Sequence, residues 1–160
     1  MARRAECVCF TGHRHISPEA LPALTRALDE ALQALYLEGF RIFLCGGALG
    51  FDLLCAERTL RLRALHPDAA LWMVLPCADQ SLRWNEKEKA RYADLTGQAD
   101  RATVLAPYYY TGCMHVRNRF MVDRASVCLC YLTGEKGGTM STVAYALRSD
   151  LRVWNLAHDA

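Results

Sequence analysis

The stretch Arg41-Ile42-Phe43-Leu44-Cys45-Gly46-Gly47-Ala48-Leu49-Gly50-Phe51-Asp52 decides the fold. Residues 41–45 read as a buried strand, three glycines follow within five positions, and a helix is expected from about residue 51 to residue 65, where His66-Pro67-Asp68 ends it. A strand that passes through glycines straight into a helix is half of a βαβ unit. Glycine permits positive φ and close backbone approach, so amides at the helix start can point at a phosphate. The same residues also suit a tight strand-to-helix turn that holds no ligand. Asp52 has two readings as well: it caps the helix, or it meets a ribose hydroxyl.

The pattern repeats outward in both directions. Strands are predicted at residues 6–10, 70–75, 102–105, 127–132 and 152–156, and helices at about 17–38, 82–97, 114–124 and 138–148. The first helix carries Leu21, Leu24, Leu28, Ala31, Leu32 and Leu35 as one apolar stripe. Ser17 is its expected N-cap, with Pro18 at the first helical position and Gly39 as terminator. Strands alternating with helices, with near-continuous apolar strands, imply an α/β fold. The expectation is one Rossmann-like domain over residues 1–160, a mostly parallel sheet with helices on both faces. Ligands of such sheets bind outside the carboxyl ends of the strands, and every loop considered below leaves such an end.

Bulk composition narrows the function. The chain is 52% hydrophobic and 22% charged, which fits a folded globular domain and excludes a disordered one. Nineteen Lys and Arg against seventeen Asp and Glu give a net charge of +2 without a basic block, which argues against a nucleic-acid partner. The apolar run at 7–10 is too short for a signal peptide or membrane span, so a cytoplasmic protein with no membrane partner is expected. Most of the eight cysteines fall in apolar segments and no C-x-x-C pair occurs, so reduced core thiols are expected and no metal site is.

Four loops offer side chains to a crevice. Thr11-Gly12-His13-Arg14 follows the first strand; Arg14 suits a bidentate phosphate contact and His13 a hydrogen bond or proton exchange near neutral pH. Gly46, Gly47 and Gly50 come with Asp52 from the second. Gly137-Gly138-Thr139 precede the last helix, and Thr139 can cap it or donate to an anion. After Gly112, helical spacing puts His115, Asn118 and Arg119 on one face and Arg117 elsewhere, and Arg119 has Asp123 as an alternative partner. Tyr108, Tyr109 and Tyr110 suit base stacking, a lid or an oligomer contact; Trp84 suits packing.

Taken in order, Phe10-Thr11-Gly12-His13-Arg14, Gly46-Gly47-Ala48-Leu49-Gly50-Phe51-Asp52, Leu75-Pro76-Cys77, Gly112-Cys113-Met114-His115 with Arg117-Asn118-Arg119, and Gly137-Gly138-Thr139 span nearly the whole chain. Together they resemble the YpsA-like group of the SLOG superfamily, which also includes the lonely-guy phosphoribohydrolases and the DNA-processing Smf/DprA proteins. The resemblance implies a Rossmann-like fold and a pocket for nucleotides or nucleotide-derived ligands, with Gly46, Gly47 and Gly50 in its first glycine motif and Gly138-Thr139 in its second. It also suggests a homo-oligomer. Lonely-guy enzymes carry P-G-G-x-G-T-x-x-E, whose glutamate takes part in cleaving an N-glycosidic bond, and here Thr142 stands at that position. A hydroxyl cannot serve as that carboxylate. Binding or sensing of a nucleotide-like small molecule is therefore the first reading. A hydrolase of nucleotides or ribosyl derivatives, with Asp52 as the candidate carboxylate, is the second, and single-stranded DNA binding the third. No particular cofactor is implied.

Overall fold

The computed structural model describes residues 4–134 and 137–158; Glu135 and Lys136 of the last predicted turn lie outside the described residues. Six strands, β1 (Cys7–Gly12), β2 (Ile42–Cys45), β3 (Ala70–Leu75), β4 (Arg101–Val104), β5 (Val127–Tyr131) and β6 (Arg152–Asn155), form one sheet in the order β4-β3-β2-β1-β5-β6. Every pairing is parallel. The connections are α1 (Leu21–Leu37), α2 (Phe51–Leu65), α3 (Glu86–Gln98), α4 (Cys113–Asp123) and α5 (Gly138–Arg148). The α/β class, the Rossmann-like domain and the count of strands and helices are those expected from the alternation of segments.

Strand alternation sends successive side chains to opposite faces. Val8, Phe10, Phe43, Cys45, Leu71 and Met73 meet α1, α2 and α3 through Leu24, Leu28, Leu32, Phe51, Leu53 and Leu95. Cys7, Cys9, Leu44, Val74, Cys128 and Cys130 meet α4 and α5 through Met121, Val122, Val143 and Ala146. All eight cysteines are buried, and burial pushes the Cys7 and Cys77 thiols up to about 11. Cys7 and Cys77 therefore stay protonated at neutral pH.

Three boundaries differ from the sequence expectation by two or more residues, each for a local reason. β1 continues through Thr11 and Gly12, which pair with Cys130 and Tyr131 of β5, so these two residues belong to a strand end and not to a loop. α1 starts at Leu21; the Ser17 hydroxyl accepts from the Ala20 amide at 3.2 Å and closes a turn ahead of the helix, leaving Pro22 in the first helical turn. α3 starts only at Glu86, because Asn85 Oδ1 accepts from the Glu88 amide at 2.8 Å and caps it there. Trp84 therefore precedes α3, and packs edge-on against Tyr92 with ring centroids 5.1 Å apart. The Gly39 stop is as expected: Phe40 N donates to Leu35 O and Gly39 N to Tyr36 O, with Gly39 at φ 108°.

The junction of β1 with α2 is tight. The Phe51 amide donates to the His13 carbonyl at 3.1 Å, and a Cβ on Gly50, at φ 79°, would lie 2.2 Å from the Arg14 carbonyl oxygen. Gly50→Ala is therefore expected to lower the unfolding free energy by more than about 2 kcal/mol in urea titrations. Gly97, inside α3 with open space around it, gives the contrast: Gly97→Ala is expected to be neutral or to add up to about 1 kcal/mol. Equal effects of the two changes would contradict this packing.

Candidate functional site

Chain order reverses between β1 and β5, the point at which an open parallel sheet leaves a crevice beyond its strand ends. A cavity of about 250 Å³ lies there, lined by Thr11, Gly12, His13, Arg14, Ala48, Asp52, Met114, Arg117, Asn118, Gly138 and Thr139. Eight of the residues expected from the sequence thus line one space: Thr11 to Arg14, Asp52, Asn118, Gly138 and Thr139.

The floor is built on Arg117. Its side chain is buried, with Nη1 donating to the Gly46 carbonyl at 2.5 Å and Nε to Asn118 Oδ1 at 2.7 Å. A Cβ on Gly46 would lie 2.4 Å from that same Nη1, so the guanidinium occupies the room that the missing side chain leaves. Asn118 Nδ2 donates onward to Thr142 Oγ1 at 2.9 Å, and Thr142 donates to the Gly138 carbonyl at 3.0 Å. One unbroken relay, Gly46 to Arg117 to Asn118 to Thr142 to Gly138, joins the first glycine loop to the second. The hydroxyl at the position of the lonely-guy glutamate is a link in this relay.

Asp52 is the other buried charge. Its Oδ2 accepts from the Ala48 amide at 3.2 Å, tying the glycine turn back onto α2. Burial raises its pKa, opposed by Arg117, by the Ala48 amide and by Arg14; burial lowers that of Arg117, opposed chiefly by Asp52. The two face the same cavity, and no direct ion pair joins them among the described residues. A buried carboxyl and a buried guanidinium across a gap suit a ligand that brings its own donors and acceptors.

The two glycine loops differ in how their amides are used. In the first, Ala48 N is taken by Asp52 and Phe51 N by His13, and Gly47 packs against Met73, Leu75 and Tyr92. This loop is mainly a structural joint. In the second, Gly137 at φ 99° opens α5, and among the described residues no side chain caps it and nothing lies within 4 Å of a Cβ placed on Gly138. Thr139 lies buried on the cavity wall and does not cap the helix. The amide-lined helix start that remains available to an anion is that of α5.

His13 closes the crevice at its β1 end. Its Nε2 lies 2.8 Å from the Thr133 amide nitrogen and 3.1 Å from the Thr133 carbonyl oxygen, and its ring meets Tyr131 edge-on at 5.9 Å. His115 and Arg119 lie outside the main cavity, in a shallow recess with Ser141, Tyr145 and Arg148. Arg119 stacks over Tyr145 at 5.0 Å, and Asp123 is engaged by the Tyr145 hydroxyl at 2.7 Å, not by Arg119. Tyr108, Tyr109 and Tyr110 are exposed away from the cavity.

Sequence reasoning missed Arg117, along with Ala48 and Met114. Grouping His115, Asn118 and Arg119 on one face put Arg117 elsewhere, and elsewhere proves to be the buried side. The signal was present: Cys113, Arg117 and Met121 recur at i, i+4 and i+8, and all three are buried. Among the described residues, no group of three or more His, Cys, Asp or Glu side chains gathers to hold a metal ion, and no helix is long and apolar enough to cross a membrane.

Known proteins resemble this chain in sequence and in fold. A UPF0398 protein of Halalkalibacterium halodurans is 27% identical over 131 residues, 81% of this chain and 68% of the relative. Among solved structures, DNA processing protein A of Helicobacter pylori, described with its single-stranded DNA binding mode, superposes with a TM-score of 0.64 at 19% identity, covering 94% of this chain and 64% of that one. The corresponding protein of Streptococcus pneumoniae gives 0.66 at 15% identity, covering 93% and 49%. These likenesses in structure concern the fold. The family model carries the assignment: it matches residues 8–152, and the chain belongs to the YspA SLOG family.

Proposed function

We propose that the crevice between β1 and β5 binds a nucleotide or a nucleotide-derived small molecule. The observation that carries this reading is the uncapped start of α5, with open space at Gly138, on the wall of a cavity that also presents Arg14 and Asp52. A phosphate fits at Gly138 and Thr139, where helix amides and dipole favour an anion and Arg14 adds charge. Ribose hydroxyls fit at Asp52, which accepts from them when ionised and can also donate when protonated. Binding or sensing is the role: among the described residues, Asp52 is the one carboxylate that lines the cavity.

Single-stranded DNA binding is the second reading, favoured by the DNA processing proteins of like fold. One set of thermal unfolding experiments separates the two. With AMP, ADP, NAD or ADP-ribose at a hundred times its dissociation constant, the transition should rise by about 5–10 °C, equivalent to about 2.7 kcal/mol. Gly138→Arg, which has room to fold, should remove the rise. A rise with oligothymidylate that fades steeply with salt, and none with mononucleotides, would give the site to DNA.

Asp52 supplies a test by pH. Its folded pKa lies above the unfolded value, so both states are protonated below about 4. As pH rises from there, the unfolded chain releases its proton first and stability falls until the folded value is passed. Relative to Asp52→Asn, the wild type should therefore lose unfolding free energy as the pH rises above about 4. Parallel curves would show that Asp52 does not titrate as a buried carboxyl.

A further inference from the structure

A second and larger cavity, about 580 Å³, adjoins the first, and Arg14 lines both. We infer that this second cavity is the far compartment of the same ligand site, holding the uncharged, hydrogen-bond-donating part of a two-part ligand whose phosphate group sits at Arg14. The inference rests on the nucleotide reading above and goes further by specifying the ligand's size and polarity.

Volume is the first argument. Ligand pockets commonly enclose roughly 300–1,000 Å³, and the crevice at β1 and β5 falls short of that range by itself. Chemistry is the second. The far compartment has an apolar floor of Ile16, Leu21, Leu49 and Leu54, on which a base or sugar ring can lie. Its rim carries Glu57, Glu88 and Arg91. Arg91 engages Glu57 at 3.2 Å, whereas half-buried Glu88 has no ion pair among the described residues. Arg14 likewise has none, and its backbone is pinned against the start of α2 where Gly50 gives way. An unpaired cation at the junction and an unpaired carboxylate at the far end set a polarity: anion at Arg14, donor groups at Glu88. With Glu57 taken by Arg91, the unpaired Glu88 carboxylate at the far end disfavours a second phosphate beside it, so a nucleic-acid strand, with phosphates on both sides of Arg14, fits less well than a ligand with a phosphate centre and a neutral end.

Calorimetric titration of the whole chain with AMP, ADP-ribose and a 5′-phosphorylated thymidine dinucleotide tests the inference. ADP-ribose should bind at least about tenfold more tightly than AMP, the effect expected of a hydrogen bond to a charged group. In Glu88→Ala, shown to be folded by its melting transition, that ratio should collapse toward one. If AMP binds and ADP-ribose gains nothing, or if the gain survives in Glu88→Ala, the second compartment is wrong while the nucleotide site stands. Silence toward both ligands would overturn the nucleotide reading and this inference with it. A thymidine dinucleotide that binds more tightly than ADP-ribose would assign the compartment to nucleic acid and overturn it as well.

Discussion

A guanidinium almost wholly withdrawn from water rests on the backbone of Gly46, and the crevice is organised around that contact. Burying a cation is costly unless its donors are used. Arg117 uses them on the Gly46 carbonyl and the Asn118 amide oxygen, and Asn118 carries the connection on through Thr142 to Gly138. Gly46 must be a glycine for the guanidinium to fit, and the second loop is held at a fixed distance from the first by side chains of α4. The two glycine loops therefore form one wall.

This division of labour gives the loops different chemistry. The first, with Asp52 bonded back to Ala48 and Phe51 bonded to His13, spends its amides on holding α2 against β1. The second, opening α5 without a side-chain cap, keeps its start facing the cavity. Placing a carboxylate at one loop and leaving helix amides at the other gives the crevice a polarity that a phosphate-sugar unit matches. Sharing Arg14 with a larger apolar-floored cavity extends that polarity outward.

Much of the fold was legible because buried parallel strands are continuous apolar runs and the turns between elements are marked by glycine and proline. Boundaries moved where a partner outside the local window decided them. Thr11 and Gly12 extend β1 because β5 lies alongside, and a side-chain cap at Asn85 overrode an apolar start at Leu82. The site was legible in its loops and not in its floor. An arginine in a helix reads as a solvated surface group, and only the Cys113, Arg117, Met121 stripe marked it as inward. His115 and Arg119 failed to reach the cavity for the same geometric reason, since a helix that turns Arg117 and Asn118 inward turns them toward α5. What no reading of local sequence could supply was that the Ala48 and Phe51 amides at the first glycine loop already have partners.

Hydrogen exchange on Arg117→Met tests the relay most directly, because the change keeps the apolar stem and removes the donors. If Arg117 couples the loops, protection should fall together at Ala48 and Phe51 in the first loop and at Ser141, whose amide donates to the Gly137 carbonyl beside the Gly138 end of the relay. Loss confined to the first loop, with Ser141 exchanging as in the wild type, would contradict the account and leave two independent turns in its place.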